Sequence, residues 1–135
     1  MPPSHLHVQV PAKVATLAQS IEPVRAFLQG HKIDQRAVRD ILLCVHEACV
    51  NAIRHSGSDD DIDVRLSLGE GLAHLLVADK GGGLDLSRCD PHRRPSPAES
   101  GGRGLYLMAC LMDEIEISLD GGTELRMTKR LPPTS

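Results

Sequence analysis

Polar and apolar residues alternate at the start of the chain. Leu6, Val8 and Val10 are interleaved with His5, His7 and Gln9, which predicts a first strand ended by Pro11. The histidines then fall on its solvated face. The period changes next. Val14, Leu17, Ile21, Val24, Ala26, Phe27 and Leu28 recur near helical spacing up to Gly30, and Pro23 inside that pattern predicts a kink or two short helices. Asp34 is a suitable N-cap for a longer helix that runs to His55 and stops at Gly57. In this helix Ile41, Leu42, Val45, Cys49, Ala52 and Ile53 form an apolar stripe, and Leu43 and Val50 make the remainder apolar as well. A helix apolar nearly all round is expected to be buried. Glu47, Asn51 and His55, at i, i+4 and i+8, share one face of it, drifting about 40° and rising about 6 Å per step. A covered carboxylate and amide are costly without partners, so the chain is expected to bind something there.

After the acidic run Asp59-Asp60-Asp61, alternation returns. Ile62, Val64, Leu66 and Leu68 line one face, Gly69-Glu70-Gly71 turns, and Leu75 and Val77 continue to Asp79, which reads as a hairpin. Residues 80 to 100 are rich in Gly, Pro, Ser and Arg, with little periodicity. A loop this long in a compact domain is usually functional. Leu105 to Met112 reads as a short apolar helix. Ile115, Ile117 and Leu119, then Gly121-Gly122, then Leu125, Met127 and Lys129 read as a second hairpin, and Pro132-Pro133 opens a short tail over 132–135. Strands with helices grouped between them predict an α+β fold. We expect a two-layer sandwich over residues 1–135, its sheet mixed but mostly antiparallel, with helices on one face.

Composition narrows the partners. The 135 residues suffice for one domain with a real core. Net charge is −3, with one Phe, one Tyr and no Trp, so neither backbone attraction nor base stacking favours nucleic acid. Cys44, Cys49, Cys89 and Cys110 form no CxxC pair and read as reduced, small apolar residues. The N-terminus has no basic region followed by an apolar one, and no apolar run approaches the ~18 residues of a membrane span. A cytoplasmic protein without membrane contact is expected.

Three clusters carry chemistry. Glu47-x-x-x-Asn51 lies on the central helix, Asp79-Lys80-Gly81-Gly82-Gly83 at a strand end, and Gly101-Gly102-Arg103-Gly104-Leu105 at a helix start. Each alone is a weak signal. Glycines before a helix let backbone N–H groups approach phosphate, whose charge the helix N-terminus favours. An Asn carbonyl is a hard oxygen ligand suited to Mg²⁺ when phosphates supply other ligands. A strand-end carboxylate can accept a hydrogen bond from an exocyclic amine such as that of adenine, and the glycines after it leave room for a flat ring.

Taken together and in order, the clusters resemble the boxes of the ATP-binding fold shared by gyrase, heat-shock chaperones, histidine kinases and MutL, the GHKL superfamily with its Bergerat fold. Glu47-x-x-x-Asn51 resembles the N box, Asp79-x-Gly81-x-Gly83 the first glycine box, and Gly102-Arg103-Gly104-Leu105 the second. HEACVNAIRHS, GRGLYLMACLMDEIEI and GGTELRMTKRL are similar to RsbW-type anti-sigma factor serine kinases, over essentially the whole chain. The resemblance implies ATP and Mg²⁺ as cofactors. Asn51 would be the Mg²⁺ ligand, Glu47 the general base and Asp79 the contact to the adenine amine. Gly81 and Gly83 would shape the adenine pocket. Gly102, Arg103, Gly104 and Leu105 would form the phosphate-binding helix start. Thr123 would reach adenine through water, and His55 would lie at the helix end near the pocket. Residues 84–100 would be a lid. The family's first-helix arginine has Ile21 near its place, with Arg25 one turn on.

The implied function is phosphorylation of a serine on a STAS-domain anti-anti-sigma factor, combined with sequestration of a sigma factor; a homodimer is left open. The alternative is an ATP-loaded switch protein that binds partners without kinase activity. Keeping Glu47 favours the enzyme. His46-Glu47 opens like a zinc HExxH motif, but Val50 stands in the last position. A phospho-accepting role for His55 would need a separate helical dimerisation domain, for which 135 residues leave no room.

Overall fold

A computed structural model describes residues 4–55, 59–81, 103–119 and 121–133. The chain order is β1 (Ser4–Val10), α1 (Val14–Ser20), α2 (Glu22–Gly30), α3 (Gln35–His55), β2 (Ile62–Gly69), β3 (Leu72–Asp79), α4 (Arg103–Leu111), β4 (Glu114–Ser118) and β5 (Thr123–Arg130). The order predicted from periodicity is the order found. Pro23 resolves as two helices. It occupies the first turn of α2, where its missing N–H removes no helical bond, and Ile21 leaves helical geometry between α1 and α2. Asp34 caps α3: its Oδ2 accepts from the Arg36 N–H at 3.2 Å and its carbonyl from the Val38 N–H at 3.0 Å.

The five strands lie in the order β1-β2-β3-β5-β4, and each neighbouring pair is antiparallel, a more uniform sheet than the mixed one expected. Register converts alternation into a core. Leu6, Leu66, Leu75, Met127 and Ile115 form one row across all five strands, and Val8, Val64, Val77, Leu125 and Ile117 form the next. Both rows belong to the apolar core beneath the helices. The opposite face carries rows such as His7, Arg65, Leu76, Arg126 and Glu116, with a His7–Asp63 contact of 3.0 Å. The β2–β3 turn is Glu70-Gly71, with positive φ at both residues, as a two-residue hairpin of matching twist requires.

Helix α3 is amphipathic rather than apolar all round. Ile41, Cys44, Val45, Ala48 and Cys49 are buried against the sheet and the other helices, whereas Leu43 is 40% exposed and His46 and Arg54 face solvent. Each apolar position counted equally in the sequence, but only one side of the helix meets the core. Leu119, expected to continue the alternation of β4, falls beyond that strand and is exposed. Burial pushes the Cys44 and Cys49 thiols up to about 12, so both stay protonated and inert, as the reading of small apolar residues requires.

Leu75 is buried on a central strand and Leu43 is not. By denaturant unfolding, Leu75→Ala should cost about 2–5 kcal/mol, and Leu43→Ala less than about 0.5 kcal/mol. A large cost at Leu43 would restore the fully buried helix.

Candidate functional site

Chain direction gathers the motifs at one end of the sandwich. The last residue of β3, Asp79, pairs with the first residue of β5, Thr123, and the start of β2 lies beside that same end of β3. Helix α3 finishes six residues before β2 begins, so its C-terminal half belongs to this end too. Helix α4 enters from this side and leaves into β4, whose first residue, Glu114, pairs with Thr128 towards the far end of β5. Helices α3 and α4 are therefore antiparallel, and the N-terminus of α4 meets the C-terminal half of α3.

They meet at Gly104. A methyl group there would come within 3.1 Å of Oε2 of Glu47, 3.3 Å of Nδ2 of Asn51 and 3.5 Å of Oδ1 of Asn51. Glycine thus seats the first turn of α4 directly on the two polar side chains of α3. The first N–H groups of a helix have no partners within it and carry the positive end of its dipole. A carboxylate, a hard amide oxygen and the first N–H donors of a helix converge. Both side chains are half-buried, not sealed into the core. That donor set suits a hydrated Mg²⁺ bound to phosphates, through Asn51.

The second group of residues surrounds Asp79. Its Oδ1 accepts from the Gly81 N–H at 2.9 Å, and its carboxylate also accepts from the Thr123 backbone N–H. Burial raises its pKa above the ordinary carboxylate value; the two hydrogen bonds pull the other way and are outweighed. Thr123 is only 7% exposed. Gly81 is buried beside the carboxylate it bonds. Gly122, with φ of 146°, has its Cα so close to the Asp79 carbonyl that a side chain would overlap it.

Glu47, Asn51, Gly104 and Leu105 thus form one cluster, and Asp79, Gly81 and Thr123 another, at the same end of the fold. Leu105 is buried and anchors α4 to the core. His55 ends α3 and Arg103 begins α4, in backbone terms. Gly83, Gly102 and the 84–100 segment lie outside the described residues. Arg25 pairs with Glu22 at 3.3 Å on the exposed side of α2. Gly122 was legible only as a turn residue; its contact with Asp79 needs the β3–β5 register to be known. A concavity of about 650 Å³ occurs on the open sheet face, lined by residues such as His7, Arg65, His74 and Glu116. Among the described residues, none of the motif residues lines it.

Comparison with known proteins fits this geometry. Residues 10–129 match the histidine kinase-like ATPase domain. Curated relatives include the serine-protein kinase RsbW of Bacillus pumilus, 36% identical over 106 residues, covering 70% of this chain and 65% of that protein. That of Bacillus subtilis is 30% identical over 140 residues, covering 94% of this chain and 86% of its own. The chain thus spans about two thirds of the length of the Bacillus pumilus relative. A crystal structure of the RsbU and RsbW domains of a Mycobacterium tuberculosis protein superposes with a TM-score of 0.71 at 23% identity, over 97% of this chain and 32% of that one. The mycobacterial sensor histidine kinase MprB gives 0.56 at 17% identity, over 97% of this chain and 100% of that one. These two show the fold alone. The chain belongs to the histidine kinase-like ATPase family, in the branch that holds the RsbW serine-protein kinases.

A carboxyl whose pKa is raised by folding favours its neutral form in the folded state. Folding stability then falls as pH rises from the unfolded pKa through the raised one. Asn mimics the neutral form. Asp79→Asn should therefore melt at or above the wild-type temperature at pH 7 without ligand, and the difference should vanish below about pH 4, where both residues are neutral. A variant less stable than wild type at pH 7 would contradict the sign.

Proposed function

We propose that the chain binds Mg·ATP across the two clusters and transfers the γ-phosphoryl group to a serine of a protein partner. The observation that carries this is the seat of Gly104 on Glu47 and Asn51, because it brings a helix N-terminus, a metal-competent oxygen and a candidate base into one place. Asp79, with Gly81 and Thr123 beside it, would receive the adenine amine. A carboxylate kept half-buried at a cost is an acceptor prepared for a donor that the bound ligand brings. The α4 N-terminus would hold phosphate charge with its unpaired N–H groups. Bound Mg²⁺, held through Asn51, would supply charge neutralisation at the phosphates. Glu47 lies one turn before Asn51 on the same face, where a carboxylate oxygen can take the proton of an attacking serine hydroxyl.

The RsbW relatives extend the proposal to partners. A STAS-domain anti-anti-sigma factor would be the phosphorylated protein, and a sigma factor would be the second, sequestered partner. Among the described residues no helix is long and apolar enough to cross a membrane.

Glu47→Gln removes the base and keeps the shape. Radiolabel transfer from ATP to a co-encoded STAS protein should fall by about 100-fold or more, while calorimetric ATP affinity stays within a few-fold of wild type. Undiminished transfer would remove Glu47 from the base role. If the wild type binds ATP and a sigma factor but transfers no phosphate, the chain is a binding-only switch.

A further inference from the structure

Lys129 stands out among the core-facing residues of β5. Register places it opposite Ala73, in line with Leu125 and Met127 on the helix side of the sheet. Its side chain is only 15% exposed. The ammonium Nζ donates to the Leu111 carbonyl, at the last residue of α4, at 2.6 Å, and lies 3.2 Å from Oδ2 of Asp40 on α3. Two more bonds fasten this corner. The Asp113 N–H donates to the Thr128 carbonyl at 2.8 Å, and the Arg130 N–H donates to Oδ2 of Asp113 at 2.6 Å.

Asp40, Glu47 and Asn51 stand at i, i+7 and i+11 on α3, which is one face of the helix. Cys44 lies on the same side, and its thiol feels Asp40, Lys129 and Glu47 together. Helix α4 runs along this face with its last carbonyl at Asp40 and its first turn at Asn51. It has nine residues and is about 13 Å long, short enough to move as a rod. A charge on the last carbonyls also complements the helix dipole. Whatever fixes the C-terminal end therefore fixes where the N-terminal end sits.

We propose that Lys129, together with Asp40, is a positioning clasp. It holds α4 along α3 and so sets the seat of the α4 N-terminus against Glu47 and Asn51. Lys129 touches no nucleotide itself; it acts through α4. The inference rests on the nucleotide reading for its consequence, but not for its existence.

Lys129→Met keeps the aliphatic stem and removes the ammonium. Hydrogen exchange of the unliganded protein, well below the melting temperature, tests the clasp without any ligand. Amides of α4 should exchange faster in the variant while β2 and β3 keep their protection. Unchanged α4 protection would overturn the clasp whether or not the protein binds ATP. Calorimetry with Mg·ATP and with AMP then tests the consequence. ATP should bind about 10-fold more weakly, and AMP, with a single phosphate, should keep its affinity within about 2-fold. A loss shared equally by ATP and AMP marks Lys129 as merely structural and overturns the positioning role, as does an unchanged ATP affinity. Lys129→Arg, which keeps a cationic donor, should recover most of the ATP affinity. Arg126→Met, on the open face of the same strand, should leave both affinities alone. If the wild type binds neither nucleotide, the nucleotide reading fails, and the exchange result still decides the clasp.

Discussion

Residue 104 is the point where α4 comes closest to the polar face of α3, and the lack of a side chain there is what the working end of this fold depends on. A methyl group would press on Glu47 and Asn51 together. Interiors are close-packed and transmit such strain, so one of the two side chains or the helix itself would have to yield. The same glycine serves two purposes. It lets the first turn of α4 approach α3, and it keeps the carboxylate and the amide side by side next to that turn. Gly122 does comparable work at the Asp79 cluster, where β5 passes too close to the Asp79 carbonyl for any side chain.

The sheet explains why these approaches are reproducible. Two transverse rows of aliphatic side chains run without interruption across five strands, and α3 lies over them through a side rich in small residues, Ala48, Cys49 and Ala52 among them. With so little aromatic bulk available, the core is made of Leu, Val, Ile, Met and Ala packed in register. Burying one such aliphatic side chain contributes about 1.5–3 kcal/mol, so the two rows together far outweigh what a few half-buried polar groups cost. The stability of the domain therefore resides in the layer between sheet and helices, and the end that carries Asp79, Glu47 and Asn51 is free to be less than optimal.

Much of this was legible in the residue pattern. Period-two and helical spacing recovered the strands and helices in order, because each face they mark is buried on one side only. The ordered boxes picked out Glu47, Asn51, Asp79 and Gly104, which the fold brings to one end, because helix-face spacing and glycine chemistry are local properties. What escaped was of two kinds. Leu43 and Leu119 were counted as apolar positions without knowledge of which side meets the core. Lys129 read as one more residue of an alternating strand, and no motif or stripe drew attention to Asp40. Their contact joins positions 89 residues apart in the chain, as the numbering gives directly. No spacing rule reaches that far. A lysine on the apolar side of a strand is the one sign that could have prompted the question.

The two ends of the α3–α4 seam are chemically different, and the difference has a direction. At Asp40 the charges are paired: the Lys129 ammonium has a carboxylate and a carbonyl, and the next turn is fastened to β5 by one backbone bond and one bond to the Asp113 carboxylate. Removing one partner from such a half-buried pair leaves the other without its counter-charge. At Glu47 and Asn51 the polar atoms face a helix N-terminus, which is itself short of acceptors. A helix tied at its C-terminus by charge, with the positive end of its dipole at its N-terminus, is suited to take an anion there. On the proposed reading, the tie would also fix where that anion lies relative to the carboxylate of Glu47. In the proposed phosphoryl transfer, whose catalysis is mostly positioning, an element remote from the reacting atoms would then set the geometry at which Glu47 and the phosphate meet.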